Sequence, residues 1–176
     1  MDRRQFLHRA LATAGALATA PLAACTSQGS GASPEERALD RLKPLDEWRE
    51  ILPPERYRIL FEEQTERPFS SPLDGESRAG TYVCAACYQP LFTSETKYDS
   101  GTGWPSFWAP KSEDAIGTAE DNTLFMTRTE YHCSRCGGHQ GHVFDDGPPP
   151  TGDRWCNNGL ALEFVPEGDP LPELRS

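Results

Sequence analysis

Tyr131-His132-Cys133-Ser134-Arg135-Cys136-Gly137-Gly138 decides how this chain is read, because Tyr82-Val83-Cys84-Ala85-Ala86-Cys87 announces the same element earlier. Each C-x-x-C pair follows a strand-like run and sits in a turn that lets both sulfurs face one point. Two such turns supply the tetrahedral sulfur set that a structural zinc prefers. A site of four thiolates is saturated, so it would tie the two halves of a domain together across 45 intervening residues without activating water. Spacing alone leaves disulfides open as the alternative, and Gly137-Gly138 favours the metal knuckle. A redox role for one pair fits less well, since neither lies in a strand–helix context of the thioredoxin kind.

Outward from the two pairs, the pattern changes near Pro68. Before it, Leu45, Trp48, Ile51 and Leu52, then Tyr57, Leu60 and Phe61, recur at helical spacing on either side of Pro53-Pro54. The second proline suits a first-turn position, so two short helices are predicted. After Pro68, Gly, Pro, Asn and Asp punctuate short apolar or alternating runs at 81–84, 91–93, 106–108, 123–132, 142–145 and 160–165. These read as strands joined by turns, and the class as mainly β. The folded domain is placed at 44–166, with an irregular tail over 167–176.

The first 24 residues read as an address. Arg3-Arg4-Gln5-Phe6-Leu7 is a twin-arginine n-region, and the apolar run from Ala10 to Ala20 is short for a bilayer span. Leu22-Ala23-Ala24-Cys25 resembles a bacterial lipobox, which predicts an exported lipoprotein held on the periplasmic side by acyl chains on Cys25. A plain signal peptide or an uncleaved anchor is the alternative. Residues 25–43 then form a lipidated cysteine and flexible tether. Removing residues 1–24 takes three arginines and one aspartate from the 17 basic and 27 acidic residues. The remaining 14 against 26, a net charge of −12, argues against nucleic acid as a partner. About 140 residues suffice for one domain with its own core, and a monomer is the default.

Of six cysteines, Cys156 alone has no structural employment. It lies in Arg154-Trp155-Cys156-Asn157-Asn158-Gly159, and an unpaired cysteine beside an arginine and amides is a candidate nucleophile. On a strand, Arg154, Cys156 and Asn158 would share a face, letting Arg154 favour the thiolate. Taken alone, Arg154 reads first as a surface ion-pair partner, Trp104 as a core tryptophan, and His139 and His142 as structural or ligating histidines.

Five segments in order carry a family resemblance: Arg67–Ser70, Gly80–Cys84, Lys97–Phe107, Gly138–Pro148 and Arg154–Asn158. Over roughly residues 44–165 the chain resembles methionine-R-sulfoxide reductases of the B type. The resemblance implies a fold of two antiparallel sheets with short N-terminal helices. It implies one structural zinc on Cys84, Cys87, Cys133 and Cys136, and reduction of the R epimer of methionine sulfoxide in proteins by Cys156. It points to His142 as proton donor, with His139 a lesser site member. Trp104 becomes the wall for the S-methyl group, with Phe107 completing the pocket and Asn158 hydrogen-bonding substrate or a water.

Thr102 departs from this pattern, because many relatives place there a cysteine that resolves the sulfenic acid into a disulfide reduced by thioredoxin. The departure predicts a one-cysteine cycle, with Cys156 reduced directly by a thioredoxin-like or other external thiol. A zinc-stapled module that binds oxidised or Met-rich proteins without turnover is the runner-up. A thiol–disulfide exchange protein is a third reading, and retention of Cys156, Trp104, His142 and Asn158 as a set speaks against both.

Overall fold

The computed structural model describes residues 42–122 and 127–175. The leader, its twin arginines, Cys25 and most of the tether lie outside the described residues. Among those described, no helix is long and apolar enough to cross a membrane.

Two helices come first, α1 over Leu45–Ile51 and α2 over Pro54–Glu62. Pro54 takes the first helical position, where the missing N–H is not needed. α1 carries Asp46 and Glu47 in its first turn, at the positive end of its dipole. Trp48 stacks on Phe61 with centroids 5.5 Å apart, pinning the helices together, and Arg56 reaches Glu163 at 2.8 Å.

Nine strands follow: β1 Gly80–Cys84, β2 Pro90–Thr93, β3 Lys97–Tyr98, β4 Ser106–Phe107, β5 Ile116–Asp121, β6 Arg128–Cys133, β7 His139–Phe144, β8 Arg154–Asn157 and β9 Leu162–Pro166. They form two sheets, β2-β1-β9 and β3-β4-β8-β7-β6-β5, and the pairings are antiparallel. The core lies between the sheets. Phe92 stacks on Phe107 at 4.2 Å, Tyr82 meets the same ring edge-on at 4.9 Å, and Tyr131 packs edge-on against Trp155 at 5.0 Å. Fully burying each of these rings contributes on the order of 2 kcal/mol.

The helices, the mainly β class and the two-sheet arrangement agree with expectation. Three strands are absent from the run-by-run reading: β3 and β5, which are short or polar and lie at edges of the larger sheet, and β8, which lies inside it and carries Arg154 and Cys156. β5 reads Ile-Gly-Thr-Ala-Glu-Asp and is held by ladder bonds to β6, which a local pattern does not reveal. The run expected over 123–132 is a strand from Arg128, and 123–126 are outside the described residues. Beyond Pro166 the chain takes no regular element, yet its end is fastened. Arg175 lies over the Tyr88 ring and donates to Ala86 O at 2.7 Å and to the Tyr88 hydroxyl at 2.5 Å.

Candidate active site and metal centre

The sulfurs of Cys84, Cys87, Cys133 and Cys136 all lie within 4.8 Å of one another, and all four residues are buried. Cys84–Cys136 and Cys87–Cys133 approach to 3.7 and 3.5 Å. A tetrahedron with Zn–S of about 2.3 Å has edges near 3.8 Å, so the donor set fits a zinc ion in size and chemistry. Packed this closely, the thiols oppose one another. Hydrogen bonds from Cys133, Cys136 and Cys84 pull Cys87 down, and the corresponding contacts with Cys133, Cys136 and Cys87 push Cys84 up. A cation resolves that opposition by holding four thiolates at once. Gln140 Nε2 approaches Cys84 Sγ at 3.6 Å, and the Cys133 N–H donates to Gly138 O at 2.9 Å. This is the structural zinc site, closed to substrate.

Cys156 lies at the other end of the larger sheet's chemistry. The pairing registers place Ser106 on β4 opposite Cys156 on β8, Cys156 opposite His142 on β7, and His142 opposite Glu130 on β6. Directly opposed residues share a face, so one row crosses four strands as Ser106, Cys156, His142, Glu130. Gly141 makes the close approach possible, because a Cβ there would run into the Cys156 carbonyl. Cys156, His142 and Asn158 line a cavity of about 130 Å³ together with Trp104, Thr65, Arg128, Gly141, Phe144 and Asn157.

Burial raises the Cys156 thiol above its usual range, against lowering by the Arg154 charge and by hydrogen bonding from Thr102 and Arg154. Arg154 thus acts in the expected direction, but its field is shared. It grips Asp146 with two bonds of 2.7 and 2.9 Å and lies 4.2 Å over the Phe144 ring. His142 is pulled down by burial, with the hydrogen bond to Asp121 at 2.8 Å opposing. Asp121 also pairs with Arg128 at 2.5 Å. At neutral pH the resting pair is therefore a thiol beside a neutral imidazole.

Other expected site residues fall elsewhere. Phe107 does not reach the cavity: one position beyond Ser106 on the same strand, it faces the opposite way, fully buried between the sheets. His139 is buried behind the site, its ring centroid 5.5 Å from that of His142 and its Nδ1 2.8 Å from Glu130. Asn158 touches the cavity, but β8 ends before it. Its Oδ1 accepts the Glu66 N–H at 3.1 Å and its Nδ2 donates to Gln140 O at 3.0 Å. One amide N–H is left over from those two bonds.

Glu66 is the residue that sequence reasoning missed most completely. Its carboxylate accepts from the Gly159 and Leu160 N–H groups at 2.5 and 3.1 Å, and its carbonyl accepts from Trp104 Nε1 at 3.2 Å. It joins the segment before β1 to both loops that frame the nucleophile. Burial nevertheless raises its carboxyl above the ordinary value. Glu130 was also missed. Burial pushes it up, yet hydrogen bonds from His132 and His139 outweigh that and hold it at about 2.

The match to known proteins covers this same unit. The family model described as SelR domain matches residues 52–166. This chain belongs to the SelR family. It is 52% identical to the peptide methionine sulfoxide reductase MsrB of Methanosarcina mazei over 127 residues, 72% of this chain and 91% of that protein. To the MsrB proteins of Agrobacterium fabrum and Pseudomonas putida it is 53% and 52% identical, over 68% and 70% of this chain and 89% and 93% of theirs.

Proposed function

We propose that this chain is a peptide-methionine (R)-S-oxide reductase that works with one catalytic cysteine. The observation that carries this is the cross-strand pairing of Cys156 with His142 in a cavity walled by Trp104. The indole offers an apolar surface to the S-methyl group, and its N–H is already taken by Glu66.

The reaction balances without an outside proton. A sulfoxide plus the Cys156 thiol gives a thioether plus a sulfenic acid: the methionine sulfur gains the two electrons that Cys156 loses, and oxygen and the thiol proton end on Cys156 as S–OH. A resting thiol therefore suits the cavity better than a free thiolate would, because the proton is needed as the S–O bond breaks. His142 relays it. With Asp121 as a carboxylate, the Nε2–H is donated and Nδ1 is left as the base that takes the thiol proton and returns it to the sulfoxide oxygen. Arg154 favours the developing thiolate.

Thr102 stands where a resolving thiol would be needed, and the other described cysteines are buried in the metal centre. The sulfenic acid is then reduced by an external thiol, low-molecular-weight or thioredoxin-like. That thiol displaces water to form a mixed disulfide, and a second thiol releases Cys156. Protein-bound sulfoxide is the favoured substrate, since the cavity is small and Phe69 stands exposed against Gly103, the residue before the Trp104 wall. The Phe69 N–H donates to Gly103 O at 2.7 Å and the residue holds a left-handed φ of 61°. Such an aromatic offers contact area to a polypeptide around the oxidised side chain. We further place the enzyme outside the cytoplasmic membrane, a monomer anchored through Cys25, where it would repair oxidatively damaged envelope proteins at raised local concentration.

The test is thiol-dependent reduction of separated R and S epimers of a blocked methionine sulfoxide, by residues 26–176 and by Cys156→Ser. Turnover of R alone, abolished by the substitution, is expected. No turnover of either epimer by zinc-loaded protein would favour a non-catalytic binding module.

A further inference from the structure

Cys156 has a second neighbour row that the proposed reaction leaves unused. Ser106, opposite Cys156 across the β4·β8 pair, is fully buried. Its hydroxyl lies 2.8 Å from the Ser100 hydroxyl, which lies 2.8 Å from that of Thr102. The Thr102 hydroxyl is one of the hydrogen-bond partners that lower the Cys156 thiol. Gly101 and Gly103 take left-handed φ of 70° and 87° on either side of it, and the Gly101 N–H is held by Asp99 at 2.8 Å. The file ends at Ser106, which can donate to Trp104 O at 3.0 Å.

We infer that Thr102, at the head of this three-hydroxyl file, is a positioning residue for the nucleophile, serving its sulfur first as thiol and then as thiolate. This rests on Cys156 being the nucleophile. Each hydroxyl has one proton to give and lone pairs to accept with. In one polarity Thr102 donates to Ser100, Ser100 to Ser106 and Ser106 to Trp104 O, which leaves the Thr102 oxygen open to accept from the S–H. In the other polarity the two hydroxyl–hydroxyl bonds reverse: Ser106 gives up Trp104 O to donate to Ser100, Ser100 donates to Thr102, and Thr102 donates to the thiolate. The proton order of the file changes while its heavy atoms stay in place. Hydrogen bonds along such a chain polarise one another, so Ser100 and Ser106 strengthen what Thr102 offers. The same end suits a sulfenic acid, which both donates and accepts. Ser100 and Thr102 also line a second cavity, of about 330 Å³, with Arg154 and Asp146, which keeps this end of the file near solvent for proton exchange. A residue that replaces a thiol is thereby given work of its own.

The experiment is the pH dependence of Cys156 alkylation by iodoacetamide in the purified, zinc-loaded protein, read by mass spectrometry of the peptide that contains Cys156. Thr102→Val is expected to raise the Cys156 pKa by about one unit, slowing alkylation about tenfold below that pKa. Thr102→Ser should return the wild-type profile, and Ser100→Ala should give a smaller upward shift. A Thr102→Val profile that overlays wild type, a Thr102→Ser profile that matches Thr102→Val, or an unmoved Ser100→Ala profile would each overturn the proposal. The measurement uses reduced protein and no sulfoxide. Failure of the file leaves the reductase reading standing, and absence of sulfoxide turnover leaves the file's result intact.

Discussion

The molecule carries two sulfur centres that differ in nearly every physical respect. At one, four cysteines from two turns are fully enclosed, face one another, and leave no position for a substrate. At the other, a single half-buried sulfur faces a cavity with a histidine on one flank and a hydroxyl on the other. Thiols crowded together demand a cation and become inert, whereas a thiol left alone beside proton carriers stays reactive. Number and enclosure decide between scaffold and reagent.

Stripping the metal attacks the comparison at its stable end. Structural zinc contributes about 10 kcal/mol or more of apparent folding free energy in small sites. Chelation to below one zinc per chain is therefore expected to unfold the domain, read as loss of near-ultraviolet circular dichroism. A stripped protein that keeps its signal and its Cys156 activity would break the division of labour.

Next in size is the carboxylate behind the open site. Glu130 is held at about 2, below the ordinary glutamate value. A carboxyl depressed on folding contributes stability that is complete above its unfolded pKa and fades as pH falls toward the folded one. A loss on the order of 3 kcal/mol is expected between about pH 4.5 and 2, and Glu130→Gln should flatten that part of a stability–pH curve from urea unfolding. An equally steep acid limb in the variant would assign the loss to other groups.

Trp104→Phe keeps an apolar wall and removes the Nε1 bond to Glu66 O. A hydrogen bond of this kind is worth about 1 kcal/mol, so KM for a peptide sulfoxide should rise about fivefold with kcat nearly kept. A fall in kcat at unchanged KM would instead give the indole N–H a part in the chemical step. The smallest effect belongs to Arg175→Ala, which frees the tail from Ala86 and Tyr88 beside the first knuckle. About 1 kcal/mol or less of stability should go, with faster zinc loss to a competing chelator. Unchanged metal release would show that the knuckle holds zinc without help from the tail.

Much of this was legible in the sequence because it is local. The C-x-x-C spacing, Pro54 at a helix start and the unpaired Cys156 are each visible within a few residues. Register is not local, and the larger errors trace to it. Whether Ser106 or Phe107 faces Cys156 turns on a one-residue parity that only the β4·β8 pairing fixes. The hydroxyl file depends on the same parity. Glu66 left no signal either, for one acidic residue in a polar segment says nothing of a partner 92 to 94 positions away.

Those separations bear on how the chain becomes active during folding. Joining Glu66 to Asn158, Gly159 and Leu160 closes a loop of most of the domain, and such long-range closure carries an entropy cost that local turns avoid. The knuckle turns and hairpins can form without it, but the loop after the nucleophile and the tryptophan wall are not fixed until that closure occurs. A half-folded chain thus holds Cys156 as an ordinary thiol. Sulfoxide reduction therefore requires that closure, because the Trp104 wall and the loop after Cys156 are both held through Glu66.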